Sequence, residues 1–560
     1  MSLGDRRLRA IIVLEHRTMK ICAHSAVLAT LLAMTTSASA GDGLSVIETT
    51  PRRAVLDAAT DAIIQVTFDR AVDPATLGVE TFHAFSRGAG PLTGTLSVSR
   101  DGRTVSLTPL RDASPGEPVT VTLGHGLRGL DGSSLRARGH QFRYWTQAGA
   151  GDLQFEIAQS ITTRAFPGED VIPYGGTATD LDGDGWIDLS IVNEATDDVR
   201  VFMNLGDATC RVDSFLQPGN AIGSVPSPSE AADFNLDGLP DLCIANIAGD
   251  SVSVLLGNGD GTYGPAQTLD TGDGARGITV LDLDGDGDLD IASSAYYSNN
   301  LRLLFNDGTG VFGGLTSLNP GINGEWSIQA DDMNGDGLFD LVIGGQSQVR
   351  VLLANAGGGF TNHSTRSVSG RTWQLNLADL DGDGAVDVAC VNSFADEGFV
   401  FLNDGRGGLR PGVSHDTDPF PLASDLGDLD GDGDLDWITS SYGGDWFLFL
   451  NDGMGGFQFH SSFDAPIAAS CSLPVDMDRD GDLDLVFVDE LDDSMIIMSN
   501  GGYDPPGPLG DLDGNGSVDG ADLGIMLAAW GVCPAPCPPD LDDNGRVDGA
   551  DLGLLLIDWN

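Results

Sequence analysis

Lysine is all but missing: Lys20 is the only one in 560 residues. That excludes lysine nucleophiles, Schiff-base chemistry and the phosphate-binding lysine of a P-loop. Bases of any kind are scarce. Beyond the first forty residues, 81 acids face 23 bases, a net charge of −58. A surface this acidic repels nucleic acid and anionic lipid, so neither is expected as a partner. Past residue 40 no apolar run reaches transmembrane length, so no membrane insertion is expected. Seven cysteines are present and none has the spacing of a zinc site. Cys210, Cys243, Cys390 and Cys471 fall at scattered points and read as buried small residues. No nucleophile motif or cofactor fingerprint is found.

Glycine, with 77 residues, and aspartate are what the chain has in excess. The pattern is clearest in Asp282-Leu-Asp284-Gly-Asp286-Gly-Asp288-Leu-Asp290. Carboxylates stand at positions 1, 3, 5 and 9 of one tight loop, and position 7 offers a main-chain carbonyl. So many like charges repel one another unless a cation lies among them. A ring of hard oxygens suits calcium better than zinc or magnesium. The loop recurs. Its positions 1, 3, 5, 7 and 9 are Asp180, Asp182, Asp184, Trp186 and Asp188, then Asp233, Asn235, Asp237, Leu239 and Asp241. After the loop quoted above come Asp332, Asn334, Asp336, Leu338 and Asp340, and then Asp379, Asp381, Asp383, Ala385 and Asp387. Asp428, Asp430, Asp432, Asp434 and Asp436 form the sixth loop, and Asp476, Asp478, Asp480, Asp482 and Asp484 the seventh. The second departs from the pattern, with Leu236 for glycine at position 4 and Pro240 before its last aspartate.

The loops begin at intervals of 53, 49, 50, 47, 49 and 48 residues, the mark of one repeated supersecondary unit. In each unit a strand precedes the loop and three more follow, with no helix signal, which predicts β-propeller blades. After the seventh loop the chain runs into Asp504-Pro-Pro-Gly507, which cannot continue a strand, whereas Leu153-Gln-Phe-Glu-Ile-Ala158 is spare at the start. The spare strand is expected to complete the last blade and close a seven-bladed ring over residues 151–503. The loops, with hairpins such as Asn451-Asp-Gly-Met-Gly-Gly-Phe457, make this region resemble the FG-GAP/VCBS repeat family, which includes integrin α-subunit heads and several fungal lectins. The resemblance implies calcium in each loop as a staple on one face. It also implies ligand contact on the opposite face, at residues six before each loop. There Tyr174, Arg276, Trp326 and Trp373 suit sugar rings or a peptide carboxylate, in the company of Ser227, Leu422 and Ser470. Ordinary packing is the other reading of these positions.

The first forty residues read as an export signal ending at Ala38-Ser39-Ala40, with Met19 as an alternative start. A secreted protein, extracellular or attached to a cell surface, is expected. Residues 44–148 carry no acidic loops but several short strands, and Asp101-Gly102 between Leu96-Ser-Val-Ser and Val105-Ser-Leu-Thr is a hairpin signal. A β-sandwich follows from that pattern. The stretch Thr67-Phe68-Asp69-Arg70-Ala-Val72-Asp73 resembles bacterial Ig-like domains. A spacer or scaffold is the expected role, with ligand binding as the other reading.

After a Pro/Gly linker at 504–509, residues 510–560 hold two twelve-residue loops of EF-hand type, each running into a helix. Asp511, Asp513, Asn515, Ser517, Asp519 and Asp522 are the first ligand set, and Asp540, Asp542, Asn544, Arg546, Asp548 and Asp551 the second. Cys533 and Cys537, close together in the proline-rich connection, are candidates for a disulfide. The duplicated loop and helix resemble the type I dockerin, and that resemblance implies a cohesin-like partner contacted by Gly520, Ala521, Gly549 and Ala550. Another surface anchor remains the alternative.

The whole is therefore expected to be mainly β, with a small α-helical calcium domain at its end. As many as nine Ca²⁺ ions are expected. Two functions fit. One is a monomeric, non-catalytic recognition or adhesion protein whose propeller binds a glycan or protein while its tail attaches it to a scaffold or cell surface. The other is a polysaccharide-degrading lyase or hydrolase carrying a dockerin. Nearly every clustered carboxylate belongs to a loop, and the repeat region's histidines, His363, His415 and His460, fall on outer strands, which favours the first.

Overall fold

The computed structural model describes residues 43–135, 139–272, 274–501, 512, 518, 520–532, 539, 541, 546–547 and 549–555. The expected export signal and linker, Cys533 and Cys537 lie outside them, as do Asp511, Asp513, Asn515, Ser517, Asp519, Asp540, Asp542, Asn544 and Asp548 of the tail loops.

The first unit is a sandwich of two four-stranded antiparallel sheets. One orders its strands Val46–Thr50, Ile64–Phe68, Thr104–Pro109 and Gly94–Val98. The other runs Gly90–Pro91, His83–Ser86, Pro118–Leu123 and His140–Trp145. Alternation decides the core. Ile64, Val66 and Phe68 point inward with Val105, Val119, Val121 and Phe142, each buried. Each such side chain contributes about 1.5–3 kcal/mol of burial free energy. Asp101-Gly102 turns the predicted hairpin, with Gly102 at a φ of 76°.

The repeat region is built of small antiparallel sheets. In each, an inner strand leads into an acidic loop, and the loop's position-9 aspartate opens the second strand, as in Ala275–Leu281 followed by Asp290–Ala295. Most sheets have four strands. One has six, because Asp340–Ala354 and Phe360–Ala378 each run unbroken through two expected strands. Gln346 pairs with Arg371 in the short connection, so the ladder carries on where other units turn. The sheet of Ala469–Val475, Asp484–Asp489 and Ser494–Ser499 takes its outer strand, Glu156–Thr162, from ahead of the first repeat.

Two side-chain latches tie successive repeats. On the loop face, the asparagine ending a third strand donates to its own loop and to the preceding repeat's loop. Asn306 Nδ2 reaches Phe234 O at 2.6 Å, Asn403 reaches Met333 O at 2.8 Å and Asn451 reaches Leu380 O at 3.1 Å. Asn204 makes the same bond to Met477 O at 2.9 Å, joining the first repeat to the last. On the other face, Asp197 and Asp250 accept N–H groups of the following unit, from Val225 and Gly274 respectively, at 2.8 Å. Asp493 does so for Ile172 at 2.7 Å, again across the seam. Gly257 and Ala354 stand where two of the asparagines would be. Gly257 is obligatory, since a Cβ there would lie 2.3 Å from Pro240 O. Beside Ala354 lies a void of about 20 Å³ lined by Leu283, Leu338 and Phe339.

The Ig-like sandwich lies directly on the acidic loops, so it is a cap rather than the spacer expected from sequence. Glycines let the backbones meet: a Cβ on Gly124 would fall 2.6 Å from Asp286 O. Arg87 bonds Asp425 at 2.7 Å and Arg143 bonds Asp331 at 3.0 Å. Between the cap and the inner strands is a cavity of about 260 Å³, lined among others by Arg87, Arg143, Glu230, Gln329 and Gln374.

In the tail, helices Gly520–Ala528 and Gly549–Leu555 pack around Val518, Met526, Val547 and Leu555. Each starts three residues before the apolar stretch that follows its loop, 523–530 and 552–559.

The latches make a two-sided prediction, read by thermal melting of the full chain. Asn204→Ala is expected to destabilise the repeat region by about 2 kcal/mol, since it strands buried carbonyls. Ala354→Asn is expected to fill its void and stabilise by about 1 kcal/mol.

Candidate metal loops and the opposite face

The loops share one hydrogen-bond plan. At position 9, one carboxylate oxygen accepts the N–H of position 2 in all seven loops, from Leu181 to Asp188 (3.0 Å) through Met477 to Asp484 (2.8 Å). Its other oxygen accepts an N–H at the end of the third strand, such as Asn306 to Asp290 at 2.8 Å. At position 1, Asp180, Asp233, Asp282, Asp332, Asp379 and Asp428 each accept the N–H of position 6. Position 5 accepts the N–H of position 7 throughout, as in Trp186 to Asp184 and Leu239 to Asp237. Asn235 and Asn334 each accept the position-5 N–H and also donate to the position-5 carboxylate of their loop. Position 4 needs a left-handed backbone, which glycine supplies in five loops. Leu236 and Arg479 adopt it with side chains, at φ of 54° and 62° and a cost of about 1 kcal/mol each.

These turns bring negative charge together out of water. Carboxylate oxygens at positions 1, 3 and 9 of the first, third, fifth and sixth loops lie within 4.8 Å of one another, close enough to hold a metal ion. Burial first, then the neighbouring carboxylates, push the position-9 groups upward: Asp188 to about 7, Asp241, Asp340, Asp387 and Asp436 to about 8, and Asp290 to about 9. Asp484 is pushed well above its ordinary value. Buried oxygens of Asp428, Asp434, Asp476 and Asp482 have no hydrogen-bond partner. Oxygen donors with orphaned, buried carboxylate atoms, joined in the seventh loop alone by a thiol, fit a hard divalent cation.

Two neighbours of the loops could not be read from sequence. Arg111 of the Ig-like unit reaches Asp180 at 2.6 Å. Cys210 donates its thiol to Asp484 at 3.2 Å from 274 residues away, so loop seven also offers sulfur.

The residues expected on the opposite face do converge, but on one another. The Arg276 guanidinium lies 4.7 Å from the centre of the Tyr174 ring, 4.8 Å from that of Trp326 and 5.7 Å from that of Trp373. Tyr174 Oη accepts from Arg276 Nη2 at 2.6 Å and from Trp373 Nε1 at 2.7 Å. Arg276, Trp326 and Trp373 are buried. An arginine thus covers the aromatic surface that a ligand would use. Ser227 and Ser470 are buried and Leu422 joins the same apolar cluster. Sequence reasoning missed Glu194 and Glu490, which occupy one repeat position, six residues past the position-9 aspartate. Burial pushes Glu194 up to about 7 against the pull of Arg276, and Glu490 well up, helped by Glu194. Their shared repeat position was the available signal.

In the tail, Asp522 accepts the Leu512 N–H and Asp551 the Leu541 N–H, both at 2.8 Å. Gly520, Ala521, Gly549 and Ala550 form the first helical turns, and Arg546 pairs in the short sheet.

Because the raised groups stay protonated in the folded, cation-free chain but ionise near pH 4 when unfolded, the folded state binds more protons between about pH 4 and 8. Stability in chelator is therefore expected to fall as pH rises through that window. A melting temperature in chelator that rises from about pH 5 to 8 contradicts this assignment.

Residues 180–244, 233–293, 282–343, 332–390, 379–439 and 428–487 match the FG-GAP-like repeat, and residues 41–146 match a bacterial Ig-like domain. None of the curated proteins matches. Solved structures similar to the chain include BBS1N in complex with ARL6DN, soaked with lead, at 13% identity over 62% of this chain and 96% of that one, TM-score 0.42. An Agrocybe aegerita lectin specific for non-reducing terminal N-acetylglucosamine is 18% identical over 71% of this chain and 94% of its own, TM-score 0.38. A Lactobacillus plantarum protein is 12% identical over 53% and 85%, TM-score 0.38. Likenesses this distant carry no argument about ligands. Among the described residues no helix is long and apolar enough to cross a membrane. FG-GAP-like repeats with an Ig-like domain are an extracellular-type combination for binding and adhesion. With repeats matched over more than half its length, the chain belongs to the FG-GAP-like repeat family and carries a bacterial Ig-like domain at its N-terminal side.

Proposed function

We propose that this is an exported, calcium-binding recognition or adhesion protein, non-catalytic, built on a closed seven-bladed propeller. The supporting observation is the set of seven loops that each gather buried carboxylates around one turn. Bound calcium supplies the missing positive charge and holds each turn in shape. The side chains at positions 1, 3, 5 and 9 and the position-7 carbonyl would hold the ion, the position-9 aspartate also fixing the turn. Closure rests on the borrowed strand Glu156–Thr162 and on latches from Asn204 and Asp493 that repeat the contacts made between other neighbours.

Two further sites in the dockerin-like tail bring the total to nine. That tail attaches the protein to a cohesin-like or other surface partner. The propeller recognises a glycan or protein by surfaces other than the loop face, which the Ig-like unit covers.

Chelation is expected to lower the melting temperature by at least about 10 °C. Equal melting in calcium and in chelator rejects the calcium reading. A glycan array on the calcium-loaded chain, repeated in chelator, tests recognition. Calcium-dependent retention of intact glycans supports a lectin-like module, and cleaved glycans by mass reject the non-catalytic reading.

A further inference from the structure

The cap does not touch the loops at random. At position 6 the carbonyl turns outward in four loops, and each time a group of the Ig-like unit or its connection donates to it. His83 Nε2 donates to Gly287 O at 2.8 Å and the Gln141 N–H to Gly337 O at 2.8 Å. Arg53 Nη2 donates to Gly384 O at 3.0 Å, and the Gly149 N–H to Gly481 O at 2.6 Å. In the third loop the His125 N–H also takes the position-4 carbonyl, Gly285 O, at 2.6 Å. The position-7 N–H, which shares a peptide unit with that carbonyl, is bonded to the position-5 carboxylate in the third, fourth, fifth and seventh loops. So the group expected to hold the cation also aims the peptide that holds the cap.

The fit is close enough that small errors in loop shape break it. A Cβ on Gly287 would lie 2.4 Å from Glu80 O, and one on Gly149 would lie 2.9 Å from Gly481 O. Two arginines of the cap also reach position-1 residues, whose carboxylates they would share with a cation. Arg53 also bonds Asp332 O at 2.9 Å, and its Nε is 3.8 Å from that residue's carboxylate. Arg111 lies on Asp180.

We propose that the acidic loops form a docking surface shaped by their cations, and that the partner is the chain's own Ig-like unit, seated on position-6 carbonyls. Loading the loops fixes these carbonyls and clamps the cap. Withdrawing the cations releases it and opens the mouth of the 260 Å³ cavity beneath. The inference rests on the calcium reading above. Coupling of this kind is reciprocal: if cations tighten the cap, the cap tightens cations.

Calorimetry with calcium alone on the full chain tests it, comparing the wild type with Arg53→Ala/His83→Ala. Both substitutions spare every carboxylate, and folding in saturating calcium is checked by amide exchange in the strand Asp290–Ala295. The double variant is expected to bind calcium about tenfold more weakly at the loops it no longer touches. In the wild type, the amides of His125, Gln141 and Gly149 are expected to lose protection at lower chelator concentrations than those of Asp290–Ala295. Superimposable isotherms overturn the inference. Absence of calcium heat from both chains overturns it together with the calcium reading itself.

Discussion

The repeat region depends on the aspartate at position 9. One oxygen closes its loop and the other caps the third strand, so one side chain joins three segments of a unit that share little else. That use requires a carboxylate to be buried beside other carboxylates, and the rise of these groups toward neutrality measures the conflict. A cation would remove it without a rearrangement, because the oxygens of positions 1, 3 and 9 already converge in four of the loops. The hydrogen bonds that shape the loop are therefore the same ones that gather the oxygens a metal ion would need.

Much of this was legible. Loop spacing gave the repeat, alternation gave the Ig-like sheets, and leftover strands at the two ends of the repeats pointed to the pairing of Glu156–Thr162 with Ser494–Ser499. Repetition made such inferences safe, since each unit is a separate sample of one pattern. Contacts between units were not legible. Nothing local to Cys210 places it against Asp484, and nothing in Arg276 says that its own guanidinium fills the aromatic surface formed by Trp326 and Trp373. The fusion of two sheets through Asp340–Ala354 and Phe360–Ala378 was hidden for a related reason: a turn that keeps its ladder reads like one that breaks it.

The Ig-like unit shows the same limit at domain scale. Its composition is that of a generic sandwich, and its glycines and arginines look like ordinary loop residues. Their role appears only when Gly124 meets Asp286, and when Arg87 and Arg143 meet Asp425 and Asp331. The aspartates on the receiving side belong to the inner strands, and position-6 carbonyls carry no side-chain signal at all.

The borrowed outer strand sets an order of events. Thr162 bonds the carbonyl of Asp493, 331 residues further along the chain. As the chain emerges from a ribosome or an export channel, Glu156–Thr162 leaves early and waits, unpaired, until nearly all the repeats have followed. Its pairing is a late, long-range step of the kind that slows folding and leaves an edge open to wrong partners. Exposed charge guards the interval, since that strand begins with Glu156 and the chain around it is strongly acidic. The seam between the first and last sheets is thus the last part of the repeat region to form and the natural place for it to come apart.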